Sequence, residues 1–248
     1  MTTSPPDASG THLLDGATVV IVGGASGIAV EVGRQAVAAG AHVTMAGRHL
    51  DRTRAATRLV GPTATAATVD LGDEATIQVL AEESGEVDHV VSLAANHANG
   101  PLSTLERPAV VAAFDAKVIG PLLLAKHFAP RMRSGGSLLL FSGIAAWRPA
   151  AGLTVMATAN GAVSFLAAAL AVELAPLRVN ALSPGIVDSG AYDSLDTDKG
   201  TFFKEVAAAN PAGRVGQPAD IASAALLAMV NPFITGTTLH VDGGGRLS

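Results

Sequence analysis

The sequence has no cysteine in 248 residues, which excludes disulfides and thiolate metal sites and is the usage expected of a cytoplasmic protein. Basic runs are missing as well. With 16 Lys and Arg against 21 Asp and Glu, the formal charge is −5, leaving no footprint for nucleic acid or for an anionic membrane surface. The seven histidines are scattered, none at ligand spacing from another, so no metal site is expected. Apolar runs such as Gly161 to Leu174 are short and alanine-rich, and they read as buried helix rather than membrane span. The opening "MTTSPPDASGTH" lacks a basic segment followed by an apolar one. It is therefore read not as a signal peptide but as a mobile tail over residues 1–12.

Apolar residues make up 49% of the chain, enough for a sizeable core, and no Pro/Gly/Ser-rich linker divides it. Residues 13–248 are expected to form one domain, with a small soluble molecule as partner. Seven short, mostly β-branched runs recur: "ATVVIVGG", "AHVTMAG", "ATAATVD", "VDHVVSLAA", "GSLLLFSG", "LRVNALSPG" and "TTLHVDGG". Ala-rich segments at helical period lie between them, such as "AVEVGRQAVAAG", which closes on Gly40. Parallel strands need crossover helices, so this alternation predicts an α/β fold, a Rossmann-type doubly wound parallel sheet of about seven strands with helices on both faces.

The first strand runs into "VGGASGIAVEVGRQAV", with Gly23, Gly24 and Gly27 in the turn. A glycine-rich strand-to-helix turn lets backbone N–H groups and the positive helix end approach a pyrophosphate, although a tight turn needs glycine in any case. Gly23-x-x-x-Gly27-x-Ala29 resembles the Thr-Gly-x-x-x-Gly-x-Gly loop of the short-chain dehydrogenases/reductases, with Val22 and Ala29 replacing the outer Thr and the last Gly. "LRVNALSPGIVD" is similar to that family's sixth-strand Asn-x-x-x-Pro-Gly turn, and "GRVGQPADIA" with "ITGTTLHVDGGG" to its C-terminal signature. The resemblance runs from Thr18 to Gly244.

That resemblance implies a nicotinamide dinucleotide held by Gly23, Ala25, Ser26, Gly27 and Ile28 in the first turn. Asp70 and Leu71 follow the third strand, with Asp70 at the position that holds the adenine amine. An N-cap is the ordinary alternative for Asp70. Ala94 and Ala95 follow the fourth strand, and Pro184, Gly185 and Ile186 the sixth. At the end of the second strand, "TMAGRHLDR" has Gly47 and Arg48 where a carboxylate would select a ribose hydroxyl. Arg pairs with a 2′-phosphate, so NADP(H) is expected over NAD(H); a solvated Arg at a helix start is the alternative.

The family's chemistry uses a Tyr as general acid/base, a Lys one helical turn on, an upstream Ser and an Asn on an earlier helix. Here the Tyr position is Met156, the Lys position Asn160, the Ser position Gly143 (preceded by Ser142) and the Asn position Lys117. A thioether neither donates nor accepts a proton, and the chain's single Tyr, Tyr192, lies beyond the Pro-Gly turn. Lys and Asn are exchanged between two positions, which makes Lys117 and Asn160 candidates for a rebuilt proton path. Lys117 as an ordinary snorkelling lysine is the alternative. Ser142 and His97, from "AANHANG", are further candidates, while Trp147 and Arg148 border either substrate or surface.

Three functions follow: an oxidoreductase with a noncanonical proton path on an unknown carbonyl or alcohol; a catalytically silent NADP(H)-binding sensor, regulator or partner; and, less favoured, a scaffold closed to cofactor. The resemblance also implies a homodimer or homotetramer, using the small apolar face of "VSFLAAALAVEL", and a substrate lid over residues 188–210.

Overall fold

A strand buried on both faces must be apolar at nearly every position, and Thr18–Val22 (β1) meets that requirement. The computed structural model describes residues 13–23, 25, 27–193 and 198–248. The tail expected over residues 1–12, the loop residues Gly24 and Ser26, and residues 194–197 of the expected lid lie outside that description.

After β1, the chain forms α1 (Ile28–Ala38), β2 (His42–Gly47), α2 (Leu50–Val60), β3 (Ala64–Thr68) and α3 (Glu74–Ser84). Next come β4 (Val87–Ser92), α4 (Arg107–Phe114), α5 (Gly120–Phe128) and β5 (Met132–Phe141). It ends with α6 (Thr154–Glu173), β6 (Arg178–Pro184), α7 (Lys199–Ala209), α8 (Pro218–Val230) and β7 (Thr238–Val241). The strands form one parallel sheet in the order β3-β2-β1-β4-β5-β6-β7, the doubly wound arrangement expected from the alternation. The order reverses between β1 and β4, and a cleft opens there at the carboxyl ends of the strands.

Alternation along the strands divides the core into two layers. Val19, Ile21, Leu139, Phe141 and Leu182 face α1 and α8, while Val20, Val22, Leu138, Leu140 and Ala181 face α3, α5 and α6. Helix α6 buries Val155, Met156, Ala159, Asn160, Val163, Ala167 and Leu170. Asn160 is the only polar member of that stripe. By length and hydropathy alone, Thr154–Glu173 is long enough to cross a bilayer, as is the continuous helical stretch Arg107–Arg131. The sequence reading of α6 as too short for a span is corrected on length. What places it in a core is the packing of its stripe against the sheet.

Between α4 and α5 the helix widens into one π turn, Asp115–Ile119, with Lys117 at its centre. Such a turn shifts the register of the side chains around the helix, and it is a frequent mark of a functional site. Here it turns Lys117 inward, to 6% exposure.

Candidate active site

The glycine-rich turn closes on its neighbours through missing side chains. Gly23 has φ +90, and a Cβ there would lie 2.2 Å from Ala94 N, so the turn sits directly on the loop after β4. Gly27 has φ +56, and its Cβ would lie 2.3 Å from Ser189 O. Gly27 therefore also lets the chain after β6 come down onto the start of α1. Among the described residues, no side chain caps the first N–H groups of the helix, which leaves them free for an anion.

Beside this turn lies a cavity of about 740 Å³ at the switch point, lined by Gly23, Ala25, Arg48, Asp70, Leu71, Ala94 and Ala95 among the residues expected to hold a cofactor. Two further basic side chains line it, His49 and Arg52, together with Asn96, Ala112, Asp115 and Ala116 across from them. Asp70 is not the cap of α3. That place belongs to Asp73, which accepts from Ala75 N, while Asp70 accepts from Gly72 N at 3.0 Å and faces the cavity. Arg48 precedes α2 and donates to Asn96 Oδ1 at 3.2 Å. Ile28 packs at the edge of the core instead, and Pro184, Gly185 and Ile186 stand at the end of β6, beyond this cavity. A Cβ on Gly185 would lie 2.7 Å from Asp242 Cα, so that turn is closed against the end of β7.

Of the candidates named from the sequence, Lys117, Ser142 and Asn160 meet just past the end of β5. Lys117 Nζ donates to Phe141 O (2.8 Å) and Ser142 O (3.1 Å). Burial holds its pKa down, to about 8, and among the described residues no carboxylate pairs with it. The Ser142 hydroxyl donates to Asn160 O at 2.7 Å, so its proton ties β5 to α6. The Asn160 amide lies over Gly143, with Nδ2 2.8 Å from where a Cβ would stand, and its Oδ1 is buried without a hydrogen-bond partner. Met156 is buried one turn earlier on the same stripe.

His97 stands exposed in the loop after β4, and its pKa is lowered by partial enclosure and by the Lys117 ammonium. Tyr192 meets Phe202 of α7 at a tilt and Phe203 edge-on, and burial raises its phenol pKa. Trp147 meets the His240 ring edge-on at 4.8 Å, and Arg148 reaches Gly245 O, so both lean on the C-terminal segment.

Three features escaped the sequence reading. Asn96 joins Arg48 to α4, visible only once the loops are folded together. Ser92 at the end of β4 and Ser183 in β6 have buried hydroxyls without partners, like Asn160 Oδ1. Each was legible only as one polar residue among several in its strand.

A parallel doubly wound sheet with a glycine-lined cavity at its switch point defines a dinucleotide-binding α/β protein. The sequence profile described as enoyl-(acyl carrier protein) reductase matches residues 23–245. A short-chain dehydrogenase/reductase of Stachybotrys chlorohalonatus is 32% identical, over 94% of this chain and 98% of that relative. Among solved structures, the MalC reductase/Diels-Alderase of Malbranchea aurantiaca superimposes with a TM-score of 0.89 at 28% identity, covering 97% of this chain and 100% of the other. A small-chain dehydrogenase in complex with NADPH gives a TM-score of 0.79 at 32% identity, covering 94% and 100%. The chain belongs to the short-chain dehydrogenase/reductase family of oxidoreductases, and binding of a nicotinamide cofactor goes with that membership.

Proposed function

We propose that this protein is an NADP(H)-dependent oxidoreductase acting on a small carbonyl or alcohol, with its proton supplied by a path rebuilt around Lys117. When bound, the cofactor supplies the hydride. Gly23, Ala25 and Gly27 would hold its pyrophosphate, Asp70 and Leu71 its adenine, and Arg48 its 2′-phosphate. The cavity supports this fit: its glycines leave room where side chains would stand, and Arg48, His49 and Arg52 gather on the ribose side.

The observation that carries the proton path is the Lys117 amine. It is buried, titrates near pH 8 and spends two of its three N–H donors on Phe141 and Ser142 carbonyls. A group with a pKa close to working pH is well matched to proton transfer. Lys117 Nζ and the unpartnered Asn160 Oδ1 both lie against Ser142–Gly143, and in this reading a water joins them. The test is NADPH oxidation with a panel of aldehydes and ketones. Lys117→Met is expected to abolish turnover while NADPH still binds, and the reduction rate is expected to fall as pH rises through about 8. Turnover unchanged in Lys117→Met overturns the path.

Met156 favours a second reading, in which the chain binds NADP(H) without turning it over, as a sensor or partner subunit. A buried thioether in the place of the family's Tyr leaves nothing at that point to protonate an oxygen. Tight NADPH binding with no oxidation across the panel is its signature. In either reading we propose a homodimer or homotetramer formed through α6, whose Phe165 and Val172 are each 81% exposed. Residues 188–210 serve as the substrate lid.

A further inference from the structure

Asn96 joins two sides of the adenosine cavity. Its Nδ2 donates to Ala112 O of α4 at 3.1 Å, and its Oδ1 accepts from Arg48 Nη2 at 3.2 Å. Both bonded neighbours line the same cavity, one on the β2 side and one on the α4 side. The two bonds settle the amide orientation, because only its oxygen can accept from a guanidinium and only its NH₂ can donate to a carbonyl. Leu offers neither, and Asp would set a carboxylate against the Ala112 carbonyl.

Arg48 is exposed and has a long stem, so a free Arg there would lose much rotamer freedom on grasping a ligand. Among the described residues, Asn96 is the only hydrogen-bond partner of its guanidinium. One of five donors is thereby spent, and the remaining fork stays available for a phosphate. Holding the fork in place beforehand removes an ordering cost from binding.

We propose that Asn96 is a positioning residue that fixes Arg48 over the adenosine cavity and so sets the preference for a dinucleotide carrying an extra ribose phosphate. The proposal rests on the NADP(H) reading. Its effect is confined to the phosphate: Asn96 assists NADPH through Arg48 and leaves NADH untouched.

The experiment is a titration of the full chain with NADPH and with NADH, for the parent, Asn96→Leu, Arg48→Ala and the double variant. Asn96→Leu is expected to lose about tenfold in NADPH affinity, the scale of one hydrogen bond to a charged group, and less than about twofold for NADH. The double variant is expected to bind NADPH no more weakly than Arg48→Ala alone, since Asn96 has nothing left to position. Asn96→Asp is expected to lose more NADPH affinity than Asn96→Leu, because its carboxylate neutralises Arg48 and repels the phosphate. Equal losses for both cofactors, no loss, or additive losses in the double variant overturn the proposal. A parent with no preference for NADPH overturns the NADP(H) reading and the role of Asn96 with it. A discriminating parent beside an unaffected Asn96→Leu overturns the role of Asn96 alone.

Discussion

The Asn160 amide stands where a side chain on Gly143 would have to be: Nδ2 lies 2.8 Å from the Cβ position, and Asn160 itself is buried on α6. The loss of a residue at 143 and the presence of Asn at 160 are one packing arrangement. Gly143 is extended, with φ 172, so the constraint is space and not backbone conformation. Gly143→Ser is therefore expected to destabilise the chain by about 1–3 kcal/mol in urea melts, the usual cost of overpacking. In an Asn160→Ala background most of that cost should vanish, and an undiminished cost there would show that the two positions are independent.

The proposal that Lys117 and Asn160 exchange places in a rebuilt proton path predicts a compensated pair. Asn160→Lys alone introduces a second ammonium close to the buried Lys117, and thermal melting should show a clear loss of stability. Lys117→Asn alone shortens the side chain that reaches Phe141 O and Ser142 O, which also costs stability. The double exchange should recover a large part of both losses. Additive losses would mean that the positions do not share one space.

Lys117 also predicts a pH dependence at the alkaline end. Its pKa is about 8 when folded, against 10.5 when free, so between those values the unfolded chain binds more protons. Stability therefore rises with pH across that window. The penalty of the buried charge is fully present below pH 8 and is relieved by pH 10.5. Relative to Lys117→Met, the parent should gain stability between pH 8 and 10, measured by urea unfolding at several pH values. A flat difference would place the amine in contact with water.

His89 makes a prediction of the same sign at the acid end. Its ring is buried in β4 and bonded to Ser137 Oγ at 2.8 Å, and burial holds its pKa down to about 4 from 6.5. The neutral ring's contribution is complete above pH 6.5 and is lost as pH falls from 6.5 to 4, because the unfolded histidine takes up a proton first. The parent should lose stability across that window more steeply than His89→Gln. Equal slopes would rule His89 out as the source.

A salt-linked contribution is expected at lower pH from Asp220, which holds Arg214 through two bonds and accepts from Gln217 N at the start of α8. The Arg214 guanidinium first, and then that backbone bond, depress its pKa to about 2 from 3.8. Its stabilisation is present above 3.8 and is lost between 3.8 and 2. Asp220→Asn should remove that slope, with an effect limited to α8 and measurable by hydrogen exchange of its first turn.

The sheet was legible in the sequence because its signal is local. Runs such as "TVVIV" and "SLLLF" are apolar at every step after the first, the pattern of a strand with helices on both faces. The places of the glycine turn, Arg48 and Asp70 beside one cavity were legible for the same reason, since each follows a strand end. The roles of Lys117, Asn160 and Ser142 were not. Whether a lysine snorkels outward or bonds to a neighbouring strand depends on the π turn Asp115–Ile119, and whether a serine is free depends on which helix lies above it.

Taken alone, then, the sequence determined the doubly wound class, the glycine-rich turn after β1 and the absence of Tyr and Lys from α6, because residue types and their spacing settle these. The tertiary structure decided what stands in the vacated space. It turned Lys117 inward onto the Phe141 and Ser142 carbonyls, spent the Ser142 proton on α6 and laid Asn160 over Gly143 with one oxygen unmatched. It also carried Arg48 to Asn96, 48 residues away in the chain. The physical reason is the same in each case: a hydrogen bond between distant segments depends on how layers pack, and no local pattern of residues encodes that distance.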